Sequence, residues 1–142
     1  MLFFGLVSIL DAKVELPPIF ADNMVLQQQT DAALWGKAKP DAKITITSTW
    51  SKTKTVVTAD SDGKWFARIA APKAGGPYEI TFNDGDKVTL KNVLIGEVWI
   101  CSGQSNMEMM MRDKVTGYEK DLAESSKYTE IRILHVDKAT SP

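Results

Sequence analysis

Residues 43–71 read KITITSTWSKTKTVVTADSDGKWFARIAA, and the class of fold turns on them. Ile44, Ile46 and Ser48 fall on one side of an extended chain, with Thr45, Thr47 and Thr49 on the other, which is the two-residue period of a strand. Residues 53–59 add a β-branched run around Val56 and Val57. Asp60-Ser61-Asp62-Gly63 then supplies turn chemistry, with Gly63 free to take a positive φ. In the next strand, residues 64–71, Trp65, Ala67 and Ile69 share one face while Phe66 and Arg68 share the other.

The same pattern extends in both directions. Pro17-Pro18 excludes helix and opens the region in an extended form. Leu34 and Trp35 precede Gly36 within residues 32–38, and Ala74-Gly75-Gly76-Pro77 reads as a breaker. Tyr78, Ile80 and Phe82 share a face before the Asn83-Asp84-Gly85-Asp86 turn, and Val88 and Leu90 alternate again before Val93-Leu94-Ile95. Strands separated by turn signals roughly every 8–12 residues predict an antiparallel β-sandwich over residues 13–95.

Composition bounds the function. A chain of 142 residues, 44% hydrophobic and 25% charged, has the balance of a globular protein rather than a disordered one. Lys and Arg number 17 and Asp and Glu 18, for a net charge of -1, which argues against nucleic acid as a partner. One Cys excludes an internal disulfide framework, and one His leaves little for a zinc site, so no metal or cofactor is expected. Residues 2–10, LFFGLVSIL, are too short to cross a bilayer, which takes about 20 residues in a helix. Their length suits the apolar region of a secretory signal peptide, and Ala12 is a plausible small residue before a cleavage point. The usual positive charges before the run are missing, and a buried strand is the alternative. No Cys follows closely enough for a bacterial lipid anchor. Residues 1–12 are therefore read as a signal-peptide remnant of a secreted or periplasmic protein, a compartment compatible with a single Cys.

At Gly96 the pattern changes. Glu97-Val98-Trp99-Ile100-Cys101 predicts a short strand buried on both faces of a parallel sheet. It stops at Ser102-Gly103-Gln104-Ser105-Asn106, followed by a predicted helix carrying Met107, Met109, Met110 and Met111. After a loop near Gly117, residues 119–128 favour helix and residues 131–136 (IRILHV) return to strand. Strand, helix, strand begins an α/β domain, so residues 96–142 are read as its truncated start, one crossover long. Gly103 permits a sharp turn, and Ser105 would open a helix, where unpaired N–H groups favour negative charge. A serine so placed can attack a carbonyl while its own N–H steadies the oxyanion. The commoner role of Ser or Asn at such a position is to cap the helix. Spacing alone favours the cap.

The stretch from Gly96 through Gly103-Gln104-Ser105-Asn106-Met107-Glu108 resembles the first block of the sialate O-acetylesterase family, a branch of the SGNH hydrolases. Leu16-Pro17-Pro18-Ile19-Phe20-Ala21-Asp22-Asn23-Met24-Val25-Leu26-Gln27-Gln28 resembles the family's N-terminal signature. Trp35-Gly36, Asp62-Gly63-Lys64-Trp65 and Ile131-Arg132 also fit, so the likeness runs from about residue 16 to 136. The resemblance implies that Ser105 is the acyl-accepting nucleophile and that its backbone N–H is one oxyanion donor. It implies that Gly103, Gln104 and Asn106 shape and orient the site. The family's other oxyanion donors, its general-base His and the Asp partner come from later blocks that these residues do not include.

Other residues that could carry chemistry read differently. His135 lies inside the predicted 131–136 strand, away from the family's Asp-to-His spacing, and is read as structural or surface. Cys101, in an apolar strand, is read as a small buried hydrophobe rather than a nucleophile. The methionines read as soft packing. Asp60-Ser61-Asp62-Gly63 is similar to part of a calcium loop, yet Thr58 stands where its first Asp is needed. Two departures from the family pattern are Asp41-Ala42, where a Pro-Gly turn is usual, and Met109, where a Trp often stands.

The expectation is thus the N-terminal part of a carbohydrate O-acetylesterase acting on an O-acetylated sugar, inactive without the remainder of its hydrolase domain. The alternative is a non-catalytic β-sandwich, either carbohydrate-binding or structural. Exposed aromatics among Trp50, Trp65, Phe66 and Tyr78 would favour sugar stacking, and their burial a structural role.

Overall fold

Alternation in the sequence becomes alternation in burial in the computed structural model, which describes residues 13–104, 109–110, 112 and 115–136. Seven strands are formed among the described residues: β1 (Val25–Gln27), β2 (Asp31–Lys37), β3 (Lys43–Ser48), β4 (Ser51–Thr58), β5 (Lys64–Ala70), β6 (Gly75–Asn83) and β7 (Lys87–Gly96). They make a five-stranded sheet in the order β1-β7-β6-β3-β4 and a two-stranded sheet, β2-β5. Pairing is antiparallel throughout except for β1, which runs parallel to β7. The chain is mainly β. It divides into two units, Met1–Gly96 and Glu97–Pro142.

Both sheets of the first unit turn their apolar faces into one core. Ile44 and Ile46 of β3, Ile80 and Phe82 of β6, and Val93 and Ile95 of β7 are buried with Leu34 of β2 and Trp65, Ala67 and Ile69 of β5. The indole of Trp65 lies 5.6 Å from the Phe82 ring, joining the two sheets at the centre. The opposite faces carry Thr, Lys and Asn, and the free edge of β4 bears Lys52 and Lys54, charges that discourage a further strand.

The turn at residues 60–63 forms as the sequence predicts. Asp60 Oδ1 accepts from the N–H groups of Asp62 and Lys64 at 2.9 and 2.8 Å, and Gly63 takes φ 76. Asp60 thus stabilises the turn backbone. Gly36 answers to a different need, close approach: a Cβ there would overlap the Glu15 carbonyl oxygen and lie 2.9 Å from Trp65 Cζ2. Glu15 is bonded to Lys37 in both directions, so that backbone cannot retreat without losing the bridge. Gly36→Ala is expected to cost about 1–3 kcal/mol by overpacking. Urea unfolding of the variant checks this, and an unchanged midpoint would show that the core yields at no cost.

Two expectations are corrected in this unit. Pro17-Pro18 does not run extended: Phe20 N–H bonds to Pro17 O at 2.9 Å, closing a turn whose corner is Pro18-Ile19, because Pro is well suited to a turn corner. Ala74-Gly75-Gly76-Pro77 is not a break, since β6 begins at Gly75, and the absent Pro77 N–H falls where the pairing with β7 slips between Gly75 and Tyr78. The Asp41 departure is slight. A turn with Ala42 N–H on Lys39 O places Pro40 and Asp41 at its corner, and Asp41 takes φ 61, which Asp tolerates.

In the second unit the described regular element is helix α1 (Tyr118–Ser125), entered through Gly117 at φ 80. Its residues are exposed or half-buried. Residues 97–101 and 131–136 form no strand, against expectation. Trp99 is 81% exposed, Ile100 93% and Ile133 91%, and Cys101 is exposed rather than buried. A strand buried on both faces needs a sheet and covering helices, and neither sheet formed by the described residues includes these segments. Met109 and Met110 are exposed and outside any helix, while Met107 and Met111 lie outside the described residues.

Candidate functional site

The segment that carries Gly103 and Gln104 begins where β7 ends. Ile95 is buried, Gly96 is half-buried, and from Glu97 to Gln104 every residue is exposed. Gly103 and Gln104 lie in irregular chain, with Gln104 at a bend. Ser105 and Asn106, the proposed nucleophile and its neighbour, lie outside the described residues, as do residues 1–12. Gly103 and Gln104 are therefore adjacent and accessible, and the geometry described at this segment ends with them.

His135 is exposed, within the irregular 131–136 segment. No group of three or more His, Cys, Asp or Glu side chains able to hold a metal is found among the described residues. No helix among them is long and apolar enough to cross a membrane.

The aromatics named as discriminating between a sugar platform and a structural role divide unevenly. Trp65 is 3% exposed. Trp50 and Tyr78 are half-buried, pack against the core, and meet edge to face at 5.4 Å, with Trp50 Nε1 donating to Ala70 O at 3.0 Å. Phe66 alone of the four is exposed, opposite Trp35 across the β2-β5 pair and 5.5 Å below the Arg68 guanidinium.

Sequence reasoning missed the lacing that holds the end of β7. Asp22 Oδ1 accepts from Lys91 N–H at 2.7 Å, and Asn92 Nδ2 donates to Asn23 Oδ1 at 2.7 Å. Gln28 N–H donates to Gly96 O, and its Oε1 accepts from Ala74 N–H, both at 2.9 Å. Asp22, Asn23 and Gln28 all lie in the N-terminal stretch noted for its resemblance, the one signal that could have marked them.

Comparison with known proteins adds the family. No protein-family model matches the chain. Human sialate O-acetylesterase (Homo sapiens) is 36% identical over 126 residues, covering 81% of this chain and 24% of that protein. The mouse protein of the same name (Mus musculus) is 32% identical over 152 residues, covering 94% of this chain and 28% of its own length. A crystal structure of a carbohydrate acetylesterase from Xanthomonas citri matches with a TM-score of 0.71 at 33% identity, over 80% of this chain and 26% of that one. The chain thus spans about a quarter of the relatives it matches. By these similarities, in sequence and in fold, the chain belongs to a sialate O-acetylesterase-like family.

Proposed function

We propose that this chain is the N-terminal part of a secreted or periplasmic carbohydrate O-acetylesterase, its first twelve residues being a signal-peptide remnant. In this reading residues 13–95 are a β-sandwich that supports the enzyme, and residues 96–142 open an SGNH hydrolase domain completed by further polypeptide. Ser105 Oγ attacks the acetyl carbonyl of an O-acetylated sugar while a His–Asp pair from that further polypeptide takes its proton. The sugar oxygen leaves with a proton returned by the His. Water then attacks the acetyl-enzyme, releasing acetate and restoring the serine. The Ser105 N–H, with Gly103, Gln104 and Asn106 shaping the turn, helps to hold the oxyanion.

The observation that carries this reading is similarity to esterases across the segment with the serine. The mouse alignment covers 94% of the chain, so the few terminal residues left out do not reach Ser105. The exposed apolar side chains of Trp99, Ile100, Ile133 and Val136 support a domain completed elsewhere, since large apolar side chains exposed in such number are normally covered. Burial of Trp65 and the packing of Trp50 and Tyr78 favour a supporting role for the β unit over a sugar platform.

The purified 142-residue chain is expected to hydrolyse an aryl acetate at the buffer rate, and the chain joined to its complete hydrolase domain well above it. Turnover by the short chain alone, abolished by Ser105→Ala, would place the base within these residues and contradict the reading.

A further inference from the structure

The outer face of the five-stranded sheet carries a polar hollow. Side chains alternate along a strand, so the residues between buried Ile44 and Ile46, and on either side of buried Ile80 and Phe82, point away from the core. Cross-strand register sets them in two rows. Thr47 of β3 pairs with Thr81 of β6, which pairs with Thr89 of β7. Thr45 pairs with Asn83, which pairs with Lys87. Lys54 of β4 joins them from the other side of β3, and together these side chains line a cavity of about 430 Å³.

Threonine is common on the outward side of any strand, so residue type alone says little. What points to a ligand is unspent hydrogen bonding. The Thr81 and Thr89 hydroxyls lie 3.0 Å apart and share one bond, which leaves one hydroxyl hydrogen to give. Asn83 Oδ1 accepts from Gly85 N–H at 3.0 Å, which orients the amide and leaves its Nδ2 hydrogens to donate. The Thr45 and Thr47 hydroxyls and the Lys54 and Lys87 ammonium groups bond to no protein group among the described residues. Thr45, Thr47, Thr81, Asn83 and Thr89 are all half-buried, so each has lost part of its hydration without gaining a full set of partners.

The lining selects the chemistry of its ligand. It offers hydroxyls and an amide to a ligand's own hydroxyls, two cations to a negative charge, and no carboxylate that would repel one. Lys54 and Lys87 stand on β4 and β7, three strand spacings or about 14 Å apart at the backbone, so their flexible side chains reach in from opposite sides. No aromatic ring lines the hollow, so polar contacts and not stacking would hold the ligand. Threonine's branched Cβ restricts its rotation, which places the hydroxyls before a ligand arrives. The volume suits a small molecule, whose sites run from roughly 300 to 1,000 Å³. We propose that this face binds an acidic sugar, its carboxylate paired with the lysines and its hydroxyls set along the threonine rows. The site lies wholly within the β unit, adds a binding face to its supporting role, and does not depend on Ser105.

The test titrates the isotope-labelled 142-residue chain with methyl glucuronide, with methyl glucoside as its neutral counterpart, and with acetate, following amide shifts by NMR. Methyl glucuronide is expected to shift Thr45, Thr47, Thr81 and Thr89 together, with a Kd on the order of 1 mM. The glucoside lacks the charge and acetate lacks the ring, and each is expected to bind at least about tenfold more weakly. Lys54→Gln combined with Lys87→Gln should weaken glucuronide binding about tenfold. Thr47→Val, which keeps the branched shape and removes the hydroxyl, should weaken it several-fold. Lys64→Gln, at an exposed lysine of β5 in the other sheet, should change nothing. None of these substitutions touches the buried core, so the variants are expected to fold. No shift at about ten times that concentration, acetate binding as tightly as the glucuronide, or undiminished binding in the double lysine variant would overturn the proposal.

Discussion

Replacing Ser105 with alanine, in the enzyme carrying this chain and its complete hydrolase domain, is expected to lower kcat on an aryl acetate by about 10⁴-fold or more. The size follows from the chemistry. Without the hydroxyl no acetyl-enzyme forms, and the difficult acyl transfer can no longer be divided into two easier steps. What remains is binding and oxyanion stabilisation, which hold only a small part of the acceleration. KM should change little, because the hydroxyl supplies almost no ground-state binding. Steady-state kinetics on purified protein checks both quantities. A fall of less than about tenfold would assign Ser105 to helix capping, the role that residue type and position suggest unaided.

The second large effect concerns the fold. Phe82→Ala should cost about 3–5 kcal/mol, the range for emptying a buried aromatic site. Phe82 is 0% exposed, sits in the middle of the five-stranded sheet between β3 and β7, and meets Trp65 of the other sheet at 5.6 Å. Truncation therefore opens a cavity at the joint between the two sheets, where neither backbone can collapse without breaking its own ladder. Small domains have stabilities of only about 5–15 kcal/mol, so much of the unit's margin disappears. Urea unfolding of the 142-residue chain measures it, the midpoint falling with little change in slope. Val56→Ala, at a side chain 59% exposed, should stay within about 0.5 kcal/mol. A Phe82→Ala loss below about 1 kcal/mol would mean that the two sheets do not share the core described.

How much of this was legible beforehand depends on the range of the interactions. Ile44 and Ile46, Trp65, Ala67 and Ile69, and Ile80 and Phe82 declare their faces locally, because a strand alternates whatever it pairs with. The Asp60-to-Gly63 turn is likewise written in adjacent residues. The bulge at Lys91-Asn92, where β7 carries one residue more than β6, is not, since it is specified by Asp22 and Asn23 far away in sequence. Gly75-Gly76-Pro77 misleads for a related reason: these residues break an isolated strand but fit one whose pairing slips.

The stretches 97–101 and 131–136 fail differently. Their apolar composition states what a strand would bury and says nothing about whether partners are at hand, and Ile100 and Ile133 stay exposed. The candidate site shows the same division. Residue type and spacing bring Gly103, Gln104, Ser105 and Asn106 together in sequence, yet favour a cap over a nucleophile for Ser105. The nucleophile reading rests on the wider resemblance, and the 32–36% identity to sialate O-acetylesterases supports the family. Asp22, Asn23 and Gln28 entered as part of a signature without a stated role, which the hydrogen bonds at the end of β7 now supply.

The central claim, that Ser105 accepts the acyl group, is met most directly by active-site labelling. The enzyme with its complete hydrolase domain is inactivated by a fluorophosphonate, digested, and the modified peptide sequenced by mass spectrometry. The account predicts one phosphonyl adduct, on Ser105, forming in step with loss of activity. Inactivation with the adduct on another residue and Ser105 unmodified would contradict it.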